Sequence, residues 1–523
     1  MNKPPPMQRH SVLAGVRVIE VGQVVAAPHC GLLLAAAGAD VIKVERPPAG
    51  DDTRQNPGFY PSGVSAYFAQ QNWGKRSVML DLAAEPGKAA FRRLLAGADV
   101  LIENLRPGAL SRLGFGWQQV SAANPALVMC SISAFGQNGP DAGRPGYGAL
   151  AEARAGLYEM TGEPDGPPMS GQIPVADMMA ADRAFGMICA ALVGRARTGH
   201  GDYLDVSLLD CAVELQDWAA ERYTASDGAD RPTRRGRYDD ALVPWGQFAT
   251  TDGWIVLIVS SDRFWPGLAG LLGDLDLTRR PELADASARR EHRDEIYPAV
   301  ARWAAGLSCD AALALLRDAG VPADRVATIA DVVADPHLRA RGMFATLPSS
   351  AGRPVLAPAL RFASGPDGPA QDAPALGQHT AEVLAEIGDG AGEPAPTEAS
   401  FTKTLSDTDL ILFGGLTGDQ HPVHVDETSD AARGAGGRTI HAVFLLGLMS
   451  TAVSRLMQRR GLRTRFGGVR SLQFHAAARP GDTVRATARL SGAGPGGVLR
   501  VAVSATTDAG TLLADGIAEM EPS

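Results

Sequence analysis

The chain has few of the residues that cross-link a protein or ligate a metal. Among its 523 residues there are five cysteines, none of them in a Cys-x-x-Cys pair. Zinc sites and disulfide frameworks need cysteines at short, paired spacings. The sequence therefore predicts no metal centre and no disulfide scaffold, and it is typical of a reducing compartment, where buried thiols act as small apolar groups. The cysteines are Cys30, Cys130, Cys189, Cys211 and Cys309.

The sequence also lacks an excess of positive charge. It has 49 Lys and Arg against 58 Asp and Glu, for a net charge of −9, which disfavours nucleic acid or an anionic membrane as the main partner. The most apolar run, HAVFLLGLMSTAV from His441, is shorter than the about 20 residues that a membrane-spanning helix needs. The opening MNKPPPMQRHSVLAG has no apolar core of the kind found in secretory signals, so we expect a cytoplasmic protein.

Two nucleotide-binding motifs are missing as well. The sequence contains no G-x-x-x-x-G-K-[ST] and no G-x-G-x-x-G after its first strand-like run, so nothing indicates ATP or a dinucleotide. Between residues 15 and 135, β-type runs such as VRVIEV and DVLIEN alternate with helical segments. This alternation predicts parallel β-α-β units in a Rossmann-like α/β fold.

Changes of composition divide the rest of the chain. We predict a large domain over residues 1–225, a small domain over 226–330 with a hairpin at Asp252-Gly253, and a return segment over 331–388. The run GDGAGEPAPTEAS is small, polar and rich in Pro and Gly, so we place a linker at 389–399. Residues 400–523 follow as a separate domain.

One carboxylate stands at the start of a long apolar helical run. The segment IPVADMMAADRAFGMICAALVGRART places Asp177 in the first turn, where the unsatisfied N–H groups and the helix dipole favour an ionised side chain. An isolated Asp at this place is usually a helix cap. Its surroundings in the sequence favour a nucleophile instead.

Four strings carry a resemblance to a known family: LAGVRVIEVGQVVAAPHCGLLLAAAGADVIKVERPPAGDDTR, QNWGKRSVMLDL, ENLRPGALSRLGFGW and the Asp177 segment. In this order they resemble the class III CoA-transferases across residues 15–215, and more weakly to about 388. The resemblance implies a covalent aspartyl role for Asp177. It also implies coenzyme A thioesters and carboxylic acids as substrates, no permanently bound cofactor and an interlocked homodimer. The CoA-binding positions that it implies are Gln23, Ala27, Arg46, Lys75, Arg76, Arg106, Gly136 and Gly139.

A racemase remains an alternative, since racemases of α-methylacyl-CoA resemble the same family. They need a His opposite an acidic residue to move the α-proton. This chain has Tyr147 in that neighbourhood and no His between His29 and His200, which favours a transferase. The run RPTRRGRYDDALVPWG has only isolated glycines where transferases often carry a glycine-rich lid.

The last 124 or so residues contain a second catalytic pattern. An apolar helix followed by the β-type runs SLQFHAAA, TVRATARLSG, LRVAVSATT and LLADGIAEM predicts an α+β hot-dog domain, in which a sheet wraps the helix. The string GDQHPVHVD resembles the MaoC-like, R-specific enoyl-CoA hydratases, which implies that Asp419 and His424 hold a water between them. His421 stands where these hydratases commonly have Asn, and Ala442 where they commonly have Gly. The domain is therefore either a hydratase or a non-catalytic dimerisation module.

Together the two halves predict a bifunctional acyl-CoA enzyme. A transferase would load CoA onto a carboxylic acid, and a hydratase or dehydratase would act on the resulting thioester. Mesaconate, itaconate or a methylmalate are attractive acceptors, with succinyl-CoA as donor.

Overall fold

The computed structural model describes residues 11–273, 277, 279–362, 371–388, 397–459, 462, 464–493 and 498–522. The chain divides into two compact units, Met1–Ile387 and Gly388–Ser523. Residues 389–396 of the predicted linker lie outside the described residues, and a strand already begins at Glu398.

The strands are β1 Arg17–Val21, β2 Asp40–Glu45, β3 Arg76–Met79, β4 Val100–Glu103, β5 Val128–Ser133, β6 Tyr203–Ser207, β7 Trp245–Ala249, β8 Trp254–Ile258, β9 Ala323–Arg325, β10 Phe344–Thr346, β11 Pro354–Leu356, β12 Glu398–Thr404, β13 Thr464–Phe474, β14 Thr483–Ala493, β15 Leu499–Thr507 and β16 Leu512–Pro522. The α-helices are α1 Ala26–Ala36, α2 Ala66–Asn72, α3 Glu85–Ala96, α4 Ala109–Arg112, α5 Trp117–Ala123, α6 Gly148–Arg154, α7 Val175–Thr198, α8 Leu208–Glu214, α9 Trp218–Ala225, α10 Trp265–Leu272, α11 Ala286–Glu291, α12 Arg293–Ala305, α13 Cys309–Asp318, α14 Ile329–Ala334, α15 Pro336–Ala340, α16 Thr380–Ile387, α17 Asp407–Thr417, α18 Pro422–Val425, α19 Asp430–Gly434 and α20 Ala442–Arg459.

The central sheet of the first unit has the order β3-β2-β1-β4-β5-β6. All of its neighbouring pairs are parallel, as the alternating pattern predicts, so the Rossmann-like prediction is confirmed. The strand order reverses direction between β1 and β4. In sheets of this kind, ligands bind in the crevice outside the carboxyl ends of the strands at this switch point.

Helices cover both faces of this sheet. One face packs against α1 and α7 in a core that includes Leu34, Ile102 and Ile188, and the other packs against α3 and α16 in a core that includes Phe91 and Val383. Because both faces are covered, the strands are nearly continuous apolar runs. The arrangement fixes α1 and α7 side by side on the same face.

The small domain has its own core between Val243 and Val321. Strands β7 and β8 form the expected antiparallel hairpin, with Ala249 opposite Trp254, and β9 adds to β8. Helices α10, α12 and α13 contribute to the same core.

The second unit is a five-stranded antiparallel sheet of order β12-β14-β15-β16-β13. The long helix α20 packs across β12, β14 and β15, with Met449, Ala452 and Leu456 at the centre of the core. The hot-dog prediction is therefore confirmed. The sheet does not enclose the helix on every side in the single chain, because Val443 is 59% exposed. The helices in the described parts of the chain are all too short or too polar to span a membrane.

Candidate active sites

Asp177 lies in the first turn of α7, as the sequence predicts, but it is not the helix cap. The N-cap position is Pro174, and it makes no side-chain capping hydrogen bond. The Asp177 side chain instead lies against α6, where a Cβ at position 148 would come within 1.9 Å of its Oδ2 atom. Glycine at 148 therefore allows the carboxylate to approach the backbone of α6.

The electrostatic surroundings of Asp177 differ from the expectation. We expected the helix N-terminus to keep the carboxylate ionised, but burial, and then the charge of Glu152, raise the pKa of Asp177 to about 6. Desolvation and a like charge both disfavour the ionised form. The result is a carboxylate that is more basic than usual and still mostly ionised at neutral pH.

Sequence reasoning missed two residues near Asp177. Glu152 on α6 is only 4% exposed, and its carboxylate accepts a hydrogen bond from the Ala176 N–H at 3.0 Å. Tyr67 on α2 is close enough for the charge of Asp177 to raise the pKa of its hydroxyl, after burial as the larger cause. Neither residue stands in a motif, so no pattern in the sequence points to them.

The loop after β1 approaches the same region. Gln23 and Asn104 join the ends of β1 and β4: the Gln23 N–H donates to Asn104 Oδ1 at 2.9 Å, and Asn104 Nδ2 donates to the Gln23 carbonyl at 2.8 Å. Val24 has a φ of 68°, a strained conformation of the kind that clusters at binding sites. Its N–H donates to Asp51 at 3.3 Å. After burial, the charges of Asp177 and Asp51 both raise the pKa of the Tyr67 hydroxyl.

Other predicted CoA-binding residues follow strands at the same edge of the sheet. Arg46 follows β2 and is exposed, with one surface ion pair to Asp52 at 2.8 Å. Arg106 follows β4 and is exposed. Gly136 and Gly139 follow β5 with φ values of 85° and 87°, so a turn needs glycine at both places. Because these strands are parallel, their carboxyl ends share one edge. Ala27 is fully buried in the first turn of α1.

The structure places Lys75 and Arg76 apart from this group, with both cations already paired to carboxylates, and their predicted role in CoA binding stays a prediction. Lys75 is 1% exposed and its ammonium group pairs with Glu20 at 2.8 Å. Desolvation is the main reason that its pKa is lowered to about 8. Arg76 begins β3, at the opposite edge of the sheet, and pairs with Asp40 at 2.6 Å and with Glu382 and Glu386.

In the second unit, the structure brings Asp419 and His424 to one cavity of about 440 Å³. The His424 Nδ1 atom lies 2.7 Å from the Thr439 carbonyl. Since a carbonyl can only accept, Nδ1 carries the proton and Nε2 is left as a proton acceptor. Asp419 is 51% exposed at its side chain and accepts from the His421 N–H at 3.2 Å. His421 in turn caps α18, its Nδ1 accepting from the Val423 N–H.

His441 completes this cluster from the residue before α20. It is 2% exposed, its ring stacks on that of His424 with centroids 3.8 Å apart, and its Nε2 donates to the Asp419 carbonyl at 3.0 Å. Asp419, His424 and His441 place possible ligand atoms within 4.8 Å of one another. His424 and His441 each use one ring nitrogen to donate to a backbone carbonyl, so each offers its other ring nitrogen as a proton acceptor.

Ala442 is the first residue of α20 and lines the same cavity. A helix N-terminus offers unpaired N–H donors, which is the arrangement that a developing enolate oxygen needs. The cavity therefore brings Asp419, His424 and the first residue of α20 together.

The transferase region is similar to known CoA-transferases. The succinyl-CoA:mesaconate CoA-transferase of Haloarcula hispanica is 35% identical over 73% of this chain and 97% of its own length. The succinate–glutarate CoA-transferase of Agrobacterium fabrum is 34% identical over 74% of this chain and 96% of its own length.

A solved structure and two family matches complete the comparison. A CAIB/BAIF family protein from Brucella suis has a crystal structure that matches with a TM-score of 0.67 and 36% identity, over 73% of this chain and all of that one. Residues 391–509 match the MaoC like domain, and residues 13–380 match CoA-transferase family III. The chain therefore belongs to CoA-transferase family III and carries a MaoC-like domain after its transferase region.

Proposed function

We propose that the first unit transfers CoA from a donor acyl-CoA to a carboxylic acid, with Asp177 as a covalent nucleophile. The observation that carries this proposal is the position of the Asp177 carboxylate, which lies against Gly148 in the first turn of α7 with its pKa raised to about 6. A carboxylate can form an acyl intermediate when it is placed against its substrate. Its raised basicity makes it a stronger nucleophile at neutral pH.

The reaction is a series of acyl exchanges. An Asp177 oxygen attacks the thioester carbonyl and the C–S bond breaks. CoA leaves as a thiolate, and the acyl group stays on Asp177 as a mixed anhydride. The thiolate then attacks the Asp177 carbonyl, which releases the donor acid and leaves an aspartyl-CoA thioester. The acceptor carboxylate attacks that thioester and frees the thiolate again, which takes the acceptor acyl group and restores Asp177. One thioester replaces another, so the exchange needs no ATP.

CoA is proposed to lie along the carboxyl edge of the sheet. Arg106 and Arg46 are exposed there and can meet its phosphates, as charge-assisted contacts to phosphate require. The Gln23–Val24 loop and the Gly136–Gly139 turn border the thioester end. The buried Lys75 ammonium group pairs with Glu20 on β1 and donates to the Pro28 carbonyl in α1.

The relatives suggest the substrates. Their names state succinyl-CoA as donor with mesaconate or D-citramalate. We therefore propose succinyl-CoA as donor and a short dicarboxylic acid such as mesaconate, itaconate or a methylmalate as acceptor.

The deciding experiment combines a substrate panel with one substitution. Full-length protein is incubated with succinyl-CoA and a set of carboxylates, and the CoA thioesters formed are identified by mass spectrometry. We expect Asp177→Ala to lower exchange by about 10⁴-fold or more, because removal of a covalent nucleophile is among the most severe changes an enzyme can suffer. Asp182→Ala, an exposed residue on the same helix, is the matched control and should keep wild-type activity. Exchange near the wild-type rate in Asp177→Ala would exclude the proposal.

A racemase is the competing function for this unit. Tyr147 lies in the neighbourhood where these racemases need a His and is 74% exposed at the residue before α6, and a phenol is not the acid-base group that an imidazole is near neutral pH. Exchange of the α-proton of an acyl-CoA with deuterium from solvent would support the racemase, and its absence supports the transferase.

For the second unit we propose hydration of an enoyl-CoA, or the reverse dehydration. The supporting observation is the His424 ring, whose Nδ1–H donates to Thr439 and leaves Nε2 as a proton acceptor on a residue that lines the same cavity as Asp419. Both activities in one chain keep the product of the first near the second, at high effective concentration. The transferred acid is then an α,β-unsaturated or 3-hydroxy acid.

We also propose a homodimer. Large apolar side chains are exposed on α7, α8 and α9, among them Val193, Val213 and Tyr223, which are 63%, 48% and 49% exposed. Apolar surface of this extent is typical of an interface. Light scattering at micromolar concentration should give at least twice the chain mass of 54.6 kDa.

A further inference from the structure

Glu152 is the buried carboxylate closest to the proposed nucleophile that the reaction scheme does not use. It lies four residues after Gly148 on α6, so both positions lie on the same face of that helix. Gly148 contacts the Asp177 carboxylate. This face of α6 therefore packs against the first turn of α7, and Glu152 lies beside the same turn.

Two hydrogen bonds fix the Glu152 carboxylate. One oxygen accepts from the Ala176 N–H at 3.0 Å, which is one of the unsatisfied donors at the start of α7. The other accepts from the Tyr158 hydroxyl at 3.3 Å. Among the described residues, no Lys, Arg or His forms an ion pair with Glu152, so its charge is not neutralised by a neighbour.

A buried carboxylate beside a second carboxylate destabilises the folded state unless a cation pairs with it. A neutral Gln would accept the same hydrogen bond from Ala176 without that cost. The titratable groups that face Asp177 are Glu152 from α6 and Tyr67 from α2. Glu152 is the one that adds a negative charge to the site.

We propose that Glu152 is a positioning residue for Asp177, which holds the first turn of α7 through Ala176 and keeps a negative charge beside the nucleophile. The inference rests on the proposed transferase function. Repulsion between the two carboxylates is relieved when Asp177 becomes a neutral anhydride or thioester, in the same way that it is relieved by protonation. The charge of Glu152 therefore favours formation of the covalent intermediate.

The test separates the charge of Glu152 from its hydrogen bond. Glu152→Gln keeps an acceptor for the Ala176 N–H and removes the charge. The acid limb of kcat/KM for succinyl-CoA, which reports the free enzyme, should lie near pH 6 in the full-length wild type. In Glu152→Gln it should move down by about 0.5 to 1 pH unit, since a neighbouring like charge has been removed. We expect kcat to fall about threefold, because a less basic carboxylate is a weaker nucleophile, and KM for the thioester to stay constant.

The matched control is Glu159→Gln, which neutralises a carboxylate on the chain segment after α6 that pairs with Arg234 and Thr233. Its profile should overlay that of the wild type. An acid limb unchanged in Glu152→Gln would overturn the proposal and leave Glu152 a purely structural acceptor. An acid limb of the wild type at the ordinary Asp value of about 4 would also contradict the inference. Retained exchange in Asp177→Ala would instead overturn the transferase proposal itself.

Discussion

The two candidate active sites differ in how buried their acidic groups are and in what their surroundings control. Asp177 lies half-buried against α6, next to the buried carboxylate of Glu152, and its pKa is raised to about 6 by burial and then by that charge. Asp419 has a side chain that is 51% exposed, and the His424 ring is held by the Thr439 carbonyl and by stacking on His441. The first site adjusts the basicity of one atom. The second fixes which nitrogen carries a proton and leaves the Asp419 carboxylate open to solvent.

The difference follows from the chemistry that each site is proposed to perform. A covalent carboxylate nucleophile must be basic enough to attack and must form an acyl intermediate shielded from water. A hydratase dyad must admit water and hold it between an acid and a base. Burial thus serves the first reaction, and access serves the second.

The contrast between the two sites fails if Asp419 and His424 of the second unit are not catalytic. Asp419→Asn and His424→Ala should each lower hydration of an enoyl-CoA by about 100- to 10,000-fold, the usual contribution of general acid-base catalysis. The double substitution should be little worse than either single one, because the two residues act as a unit. Loss of enoyl absorbance measures hydration, and CoA exchange should be unchanged throughout.

The matched control for the dyad is His475→Ala. His475 forms another His–Asp pair of the same unit, with Asp515 at 2.6 Å, and it does not line the 440 Å³ cavity. Its hydration rate should equal that of the wild type. If the wild-type protein turns over no short, branched or carboxylated enoyl-CoA, the second unit has only a structural role.

A smaller effect sharpens the description of the transferase site. Arg106→Ala should raise KM for CoA thioesters about tenfold or more, since a charge-assisted contact contributes about 1.5 to 3 kcal/mol. Arg92→Ala, which removes an exposed Arg paired only with Glu85 among the described ion pairs, is the control. A change of KM for the free acid with none for the thioester would contradict the assignment.

Replacing Lys75 is expected to lower the stability of the first unit rather than to raise KM for the thioester. Lys75→Met leaves the buried Glu20 with one cation, Lys43, instead of two. Breaking a buried ion pair typically costs about 3–5 kcal/mol, so the first unit should unfold at a lower temperature. If this variant folds fully and changes only KM for the thioester, Lys75 meets the phosphate after all.

The smallest expected effect concerns the carbonyl site of the hydratase. Ala442→Gly removes a Cβ from the first turn of α20, where it lines the cavity, and lets a thioester oxygen approach the backbone more closely. We expect KM for the enoyl-CoA to fall by about two- to fivefold, which corresponds to a contact of about 0.5 to 1 kcal/mol. CoA exchange should not change, and a rise in KM would contradict this placement of the carbonyl.

The parts of the fold that follow from local pattern were predictable. Alternating strands and helices indicated the parallel sheet. The apolar run after Asp177 indicated α7 and placed Asp177 in its first turn. The Gly-Asp string placed Asp419 and His424 five residues apart, and both line one cavity. These features depend on periodicity and short motifs, which are visible in one segment at a time.

The parts that depend on distant segments were not predictable. Lys75 reads as a surface cation in WGKRS, and only the tertiary structure shows that it pairs with Glu20 on β1. Arg76 stands next to it, yet its place at the start of β3 puts it at the opposite edge of the sheet. Glu152 influences Asp177 because two helices pack together, and no spacing in the sequence records that contact. The raised pKa of Asp177 follows from this packing, whereas the local helix dipole argued for a low one.

The central claim is that Asp177 carries the acyl group and then CoA. The most direct measurement is mass spectrometry of peptides from the full-length protein after mixing with succinyl-CoA and trapping with hydroxylamine or borohydride. The account predicts a modification at Asp177 that is absent in Asp177→Ala and absent without the thioester. Continued exchange with Asp177 unmodified, or trapping at another residue, would contradict it.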